Sequence, residues 1–190
     1  MPSSPATTPH PNLSLSPIDA VSPSLADRLN ARVERYETPA FIEDDPIRFP
    51  HEYEDPRDQE VIGLYAALLA WGRRAIIRRK LTELCDRMGP RPYRFVREYD
   101  RENDEALDGF VHRTFQPIDA RWLTHLLGLL LDRYDRIEAV FAEAIDPDAP
   151  HVGPAIQHFS TELLEMDPDR PDRLRKHLAR PEAGSACKRL

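Results

Sequence analysis

Apolar residues recur at helical spacing along most of the chain, and two stretches are apolar almost all round. The first covers residues 61–71, broken only by Gly63, and a helix without a polar face belongs inside a protein. Just upstream, Asp55 is suited to cap, Pro56 fits the first helical position, and Asp58 and Glu60 favour the positive end of the dipole. The pattern breaks at Gly72. Arg73 and Arg74 follow, and a second helix carries one stripe of Ile77, Leu81, Leu84, Cys85 and Met88 before Gly89-Pro90 stops it. A buried helix thus delivers a tight glycine turn with two arginines to the edge of the fold. The second all-round apolar stretch is a helix over 117–134, with Trp122, Leu123, Leu126, Leu127, Leu129, Leu130 and Leu131.

Shorter elements fill in the rest. Ser24 reads as the N-cap of a first helix with Asp27 at N3 and Leu25, Leu29, Val33 and Tyr36 along one face. Residues 38–55 hold Pro39, Pro46 and Pro50, which predicts a long, stiff, non-helical connector pinned by Phe41, Ile42, Ile47, Phe49 and Tyr53. A short helix is expected over 92–100, with Tyr93, Val96 and Tyr99 inward. A charged loop follows over 101–108. After the second apolar helix, Asp135 and Glu138 suggest a capping box for a helix reaching Ile145. Pro154 opens another helix on the stripe Ala155, Ile156, Phe159, Leu163 and Met166, and Asp172 is expected to cap a short basic helix running to Ala179. Ser185 looks like the N-cap of a further helix. The chain ends a turn later, and an isolated turn is unstable, so C-terminal truncation is expected.

No stretch alternates in the manner of strands, so the fold class is all-α. A disordered Ser/Thr/Pro-rich leader over 1–22 and one helical domain over 23–190 suit a chain of 190 residues. The apolar runs fall well short of the ~20 residues a bilayer needs, and no secretory signal opens the chain. Two cysteines, Cys85 and Cys187, form no C-x-x-C unit, so free thiols in a reducing cytoplasm are expected.

A net charge of −7 argues against a nucleic-acid binder, but its distribution argues the other way. Acids dominate 34–60, whereas bases dominate 73–101 and 170–190. Either the molecule has one acidic and one basic side, or the blocks pair with each other. Glu43, Asp44, Asp45, His51 and Glu52 offer hard oxygen ligands without a metal-site spacing, which favours a solvated loop over a metal site. His112 and Arg113 sit between Phe110 and Phe115. A histidine there is a candidate for phosphate contact, although one flanked by aromatics is more often packed and hydrogen-bonded.

Five blocks in order carry a resemblance: YETPAFIEDDPIRFPHEY from Tyr36, DQEVIG from Asp58, AWGRR from Ala70, HRTF from His112 and GSACKRL from Gly184. From about Asn30 onward the chain resembles an uncharacterised bacterial family known only as a conserved domain of unknown function. Members of that family continue past Cys187-Lys188-Arg189 into a longer apolar helix. Beyond it lies a Leu-Asp-Thr-His-like motif similar to that of helix-hairpin-helix DNA glycosylases. The resemblance implies an orthogonal helical bundle like part of the glycosylase fold, incomplete at its C-terminus. In that fold the turn between two helices faces opened DNA, and here the turn is Trp71-Gly72-Arg73-Arg74, with Arg73 where the family commonly has Asn.

The implied function is nucleic-acid binding, with base-excision chemistry on a flipped nucleotide as its enzymatic form. DNA is the partner expected, through Gly72, Arg73, Arg74, His112, Arg113, Lys188 and Arg189. No catalytic residue, metal, cofactor or membrane contact is assigned. The competing reading is a non-enzymatic helical interaction module whose basic turn meets its own acidic block.

Overall fold

The computed structural model describes residues 24–188. Expectations for the 1–22 leader and for Arg189 lie outside the described residues. The chain divides between Phe41 and Ile42 into two compact units. In the first, α1 (Leu25–Tyr36) starts at the expected capping box: Ser24 Oγ accepts the Asp27 N–H at 3.1 Å, and Asp27 accepts the Ser24 N–H at 3.0 Å. None of its residues is buried, and the stripe of Leu25, Leu29, Val33 and Tyr36 is exposed. The Tyr36 ring meets Phe41 edge-on at 5.5 Å.

The connector over 38–55 is not extended. It folds into α2 (Pro39–Asp44), which crosses the division between the units, and α3 (Arg48–His51). Its prolines fall where a helix tolerates them. Pro39 is the first residue of α2, Pro46 precedes α3, and Pro50 lies within the first turn, where an N–H has no intrahelical partner to lose. Of the expected pins, Phe49 is buried, Tyr53 and Ile42 are half-buried, and Ile47 is exposed.

The second unit is built on the two apolar helices, α4 (Pro56–Leu69) and α7 (Pro117–Tyr134). Val61, Ile62, Tyr65 and Leu69 of α4 and Leu126, Leu127 and Leu130 of α7 are fully buried in one core. Tyr65 Oη lies 2.6 Å from Thr124 Oγ1, which itself donates to the Ala120 carbonyl at 2.8 Å, so the tyrosine is the donor between the helices. Around them pack α5 (Arg74–Met88), α6 (Pro92–Glu98), α8 (Ile137–Ala142) and α9 (Gly153–Glu165). Gly128 lets α6 approach closely, because a Cβ there would stand 2.7 Å from the Val96 carbonyl oxygen. Among the described residues there is no strand, only an isolated bridge between His112 and Phe115. None of their helices is long and apolar enough to cross a membrane.

Several local expectations are corrected by contacts distant in sequence. Asp135 does not cap α8. With φ 61° it ends α7, and the N-terminus of α8 is served instead by Glu60, which accepts from the Ile137 N–H at 2.7 Å and the Glu138 N–H at 3.2 Å. Glu60 also binds the Arg136 guanidinium. Asp58 acts alike for α6, accepting the Tyr93 N–H at 2.7 Å. Both acids at the start of α4 therefore satisfy N–H groups of other helices. Ile145 lies beyond α8 and is half-exposed, so the helix is shorter than expected. The segment from Asp172 is a 3-10 turn ending at Lys176, and the Asp172 carboxylate faces Arg170 and Arg175 instead of capping. Ser185 opens no helix among the described residues. Its Oγ accepts the Cys187 N–H at 3.3 Å in a local turn.

Candidate nucleic-acid interface

The C-terminal end of α4 gathers most of the basic residues singled out by sequence. The helix stops at Ala70, and the chain turns through Gly72 at φ +113° before α5 begins at Arg74. Only glycine adopts that φ without strain. Arg73 is the N-cap of α5, its carbonyl accepts the Ile76 and Ile77 N–H groups, and its side chain is exposed.

Against this turn stands a second, formed by residues 112–115. His112 and Phe115 exchange both backbone hydrogen bonds at 2.9 Å, which makes a two-residue hairpin turn with Arg113 and Thr114 at its tip. Arg113 has φ 55°, a conformation unusual for a residue with a side chain. Its guanidinium reaches across to Gly72 and lies 5.3 Å from the centre of the Trp71 ring, within cation–π range.

His112 is 1% exposed, and its Nε2 lies 3.2 Å from the Trp71 carbonyl oxygen. A carbonyl can only accept, so Nε2 carries the proton and Nδ1, buried and without a partner among the described residues, does not. The ring meets Trp71 edge-on at 5.5 Å. Burial pushes the His112 pKa down, partly opposed by the Trp71 and Leu69 carbonyls, with Arg113 and Lys80 adding to the lowering. A neutral imidazole thus ties the hairpin to the end of α4. It is a brace, in keeping with its aromatic flanks.

Sequence reasoning missed the cluster behind the hairpin. Asp119 is fully buried and accepts two parallel hydrogen bonds from Arg173, Nε at 2.7 Å and Nη2 at 2.8 Å, besides the Gln116 N–H at 2.8 Å. His177 Nε2 lies 3.2 Å from Asp119 Oδ2, within ion-pair range but off the line of a hydrogen bond. Burial lowers the His177 pKa, and Asp119 works against that. The His177 ring packs edge-on against Phe115 at 4.9 Å, so the hairpin is anchored from both sides. The sequence held only a faint signal, an aspartate at N3 behind Pro117 in an otherwise apolar helix.

His177 and Lys188 then line one small cavity with Leu68 of α4, which brings the C-terminal basic run to the same end of the helix. Arg74 is drawn elsewhere: its guanidinium lies 3.8 Å from Asp45, and next along α5 Arg78 binds Asp44 at 2.7 Å. Those contacts join the basic block to the acidic one. Among the described residues Arg73, Arg113 and Lys188 have no carboxylate partner, and no group of three or more His, Cys, Asp and Glu side chains is placed to hold a metal ion.

No curated protein and no solved structure matches the chain. A family model does, over residues 45–190, a span holding the α4–α5 turn, the hairpin and the Asp119 cluster. The chain belongs to that family, described as a protein of unknown function (DUF2400).

Proposed function

We propose that this protein binds nucleic acid through the phosphate backbone, at the edge formed by Gly72, Arg73, Arg113 and Lys188, with Arg189 next in sequence and His112 as the brace beneath. The observation that carries the reading is Arg113. A non-glycine residue is held at positive φ in a hairpin, and its guanidinium is laid against the one glycine at the tip of the α4–α5 turn. Strained backbone of this kind persists where the surroundings enforce it, and such positions cluster at ligand clamps. Arginine is the side chain suited to phosphate, since its planar fork donates two parallel hydrogen bonds. The finer reading, glycosylase-like repair of DNA, rests on the resemblance of the α4–α5 element to helix-hairpin-helix turns and is a fold-level analogy.

Arg74 and Arg78 favour a second reading, because pairing with Asp45 and Asp44 is what an interaction module with a self-neutralised basic face would have. Salt-dependent binding separates the two. Anisotropy titrations of a labelled duplex and a single strand against the Arg73→Ala/Arg113→Ala variant should give weaker binding and a log–log salt slope shallower by roughly 1 to 2 units. The Arg74→Ala variant should bind like the parent. A parent that does not bind either strand, or a double variant with an unchanged slope, would sink the nucleic-acid reading and leave the module.

A further inference from the structure

The small cavity beside the end of α4 has a chemistry of its own. Its polar wall is made by Lys176, His177, Ser185, Cys187 and Lys188, and its volume is about 80 Å³. One water needs only about 10–15 Å³ of such space, so there is room for a tetrahedral oxyanion. Among the described residues no aspartate or glutamate lines it. The carboxylate next to His177 is Asp119, and it is already engaged by the Arg173 fork and the Gln116 N–H. Neither lysine has a carboxylate partner among the described residues. Ser185 Oγ accepts the Cys187 N–H, which leaves its own O–H to donate. Cys187 is held at φ 46°, and this unusual backbone closes the turn that brings Ser185 and Lys188 to the same wall.

We propose that this cavity is a binding site for a single phosphate group, held by the Lys176 and Lys188 ammonium groups and the Ser185 hydroxyl. Two cations and a neutral donor around a space of that size match a dianion with several acceptor oxygens, and charge-assisted hydrogen bonds are the strong ones. The site shares Lys188 with the proposed nucleic-acid edge but does not depend on that reading, which bears only on whether the phosphate is free or terminates a strand. A strand end suits a partly open recess better than an internal diester, whose chain must leave in two directions.

Cys187 supplies the test, because this half-buried residue lines the cavity and its thiol donates to the Ser185 carbonyl at 3.4 Å in the same turn. Cys85 serves as the internal reference, its thiol pushed up by burial. Iodoacetamide labelling of the full chain is followed at both cysteines by mass spectrometry, with inorganic phosphate against chloride at equal ionic strength. Phosphate at ten times its dissociation constant should slow Cys187 labelling about tenfold and leave Cys85 unchanged. Lys188→Ala and Ser185→Ala, which leave the Asp119–Arg173 pair intact, should each raise the dissociation constant roughly tenfold, so that the same phosphate slows labelling only about twofold. A thermal melt checks that both fold. In a second arm, a 5′-phosphorylated oligonucleotide and its unphosphorylated twin replace phosphate. Protection by the phosphorylated strand in preference to the twin assigns a strand end, whereas protection by inorganic phosphate alone assigns a free ion. If neither phosphate nor the phosphorylated strand protects Cys187, or if protection survives in both variants, the site is overturned. Oligonucleotide binding measured separately can still stand in that case.

Discussion

Arg113 holds its guanidinium where a side chain on residue 72 would have to go. A Cβ built on Gly72 would come within 2.5 Å of Arg113 Nη2 and 2.7 Å of its Cζ, and φ at Gly72 is +113°. Two separable costs follow for Gly72→Ala, one from the backbone and one from the displaced arginine. Together they should lower stability by about 1–3 kcal/mol. In an Arg113→Ala background the cost should shrink, because only the backbone part is left. Denaturant midpoints of the parent, the two single variants and the double variant measure the coupling. Strictly additive costs would mean that the arginine moves aside freely and the two turns are not joined through it.

Glu60 caps α8 from another helix, so its removal should be felt at a distance. Glu60→Ala leaves the Ile137 and Glu138 N–H groups and the Arg136 guanidinium without their shared carboxylate. Loss of a good N-cap costs about 0.5–2 kcal/mol. Glu138→Ala, which sequence alone marks as the capping partner, should cost far less, since its side chain is largely exposed and pairs with Arg136. Thermal melts of the two variants decide it. Equal losses would return the cap to the local box.

The same comparison explains what the sequence could carry. The helices α4, α5 and α7 were legible because their signals are local: all-round apolarity, a proline at the first position and a glycine at the stop. The connector misled because a proline reads as a breaker until its place within the turn is known, and Pro39 and Pro50 sit where helices accept them. Capping of α8 could not be read at all, since its acceptor lies 77 residues from Ile137. The candidate site was half legible. The blocks AWGRR and HRTF each stood out, but what joins them is the contact of Arg113 with Gly72 and of His112 with the Trp71 carbonyl, and no periodicity encodes that. Asp119 looked like an ordinary N3 acid, and only tertiary packing buries it against Arg173.

Two glycines inside helices should respond oppositely to alanine. Gly63 in α4 has room, because the nearest atom to an added Cβ is Pro50 Cβ at 3.9 Å. Gly63→Ala should therefore stabilise by roughly 0.4–1 kcal/mol, through the unfolded chain and helix propensity. Gly128 in α7 faces the Val96 carbonyl oxygen, which belongs to the backbone and cannot swing away. Gly128→Ala should cost about 1–3 kcal/mol by forcing α6 and α7 apart. Urea unfolding of both variants provides the check. A neutral Gly128→Ala would show that α6 is loosely docked.

Stability should fall as pH drops through the histidine range, with His112 as a principal cause. Its Nε2–H is committed to the Trp71 carbonyl, so protonation must place a new N–H on Nδ1, which is buried without an acceptor among the described residues. Burial, with Arg113 and Lys80 adding positive charge, holds the folded pKa below its usual value, although the Trp71 and Leu69 carbonyls pull the other way. His177 is depressed for the same first reason, with Asp119 opposing. The sign is fixed by the unfolded chain, which takes up protons near pH 6.5 while the folded one does not, so it binds more protons in that window. The contribution is therefore complete above about pH 6.5 and is lost as pH falls from there through the lower folded values. The carboxylates with depressed pKa, Asp55, Glu83 and Asp100, lose their contributions only in the acid range around pH 4 and below, and so do not confuse the reading. His112→Gln keeps an amide donor for the Trp71 carbonyl and removes the titration. Melting temperatures taken from about pH 8 to pH 5 should decline in the parent and decline less steeply in the variant. A parent curve that is flat across this range, or a variant that follows the parent step for step, would show that the proton is taken up elsewhere and that His112 is not the buried neutral brace between the two turns.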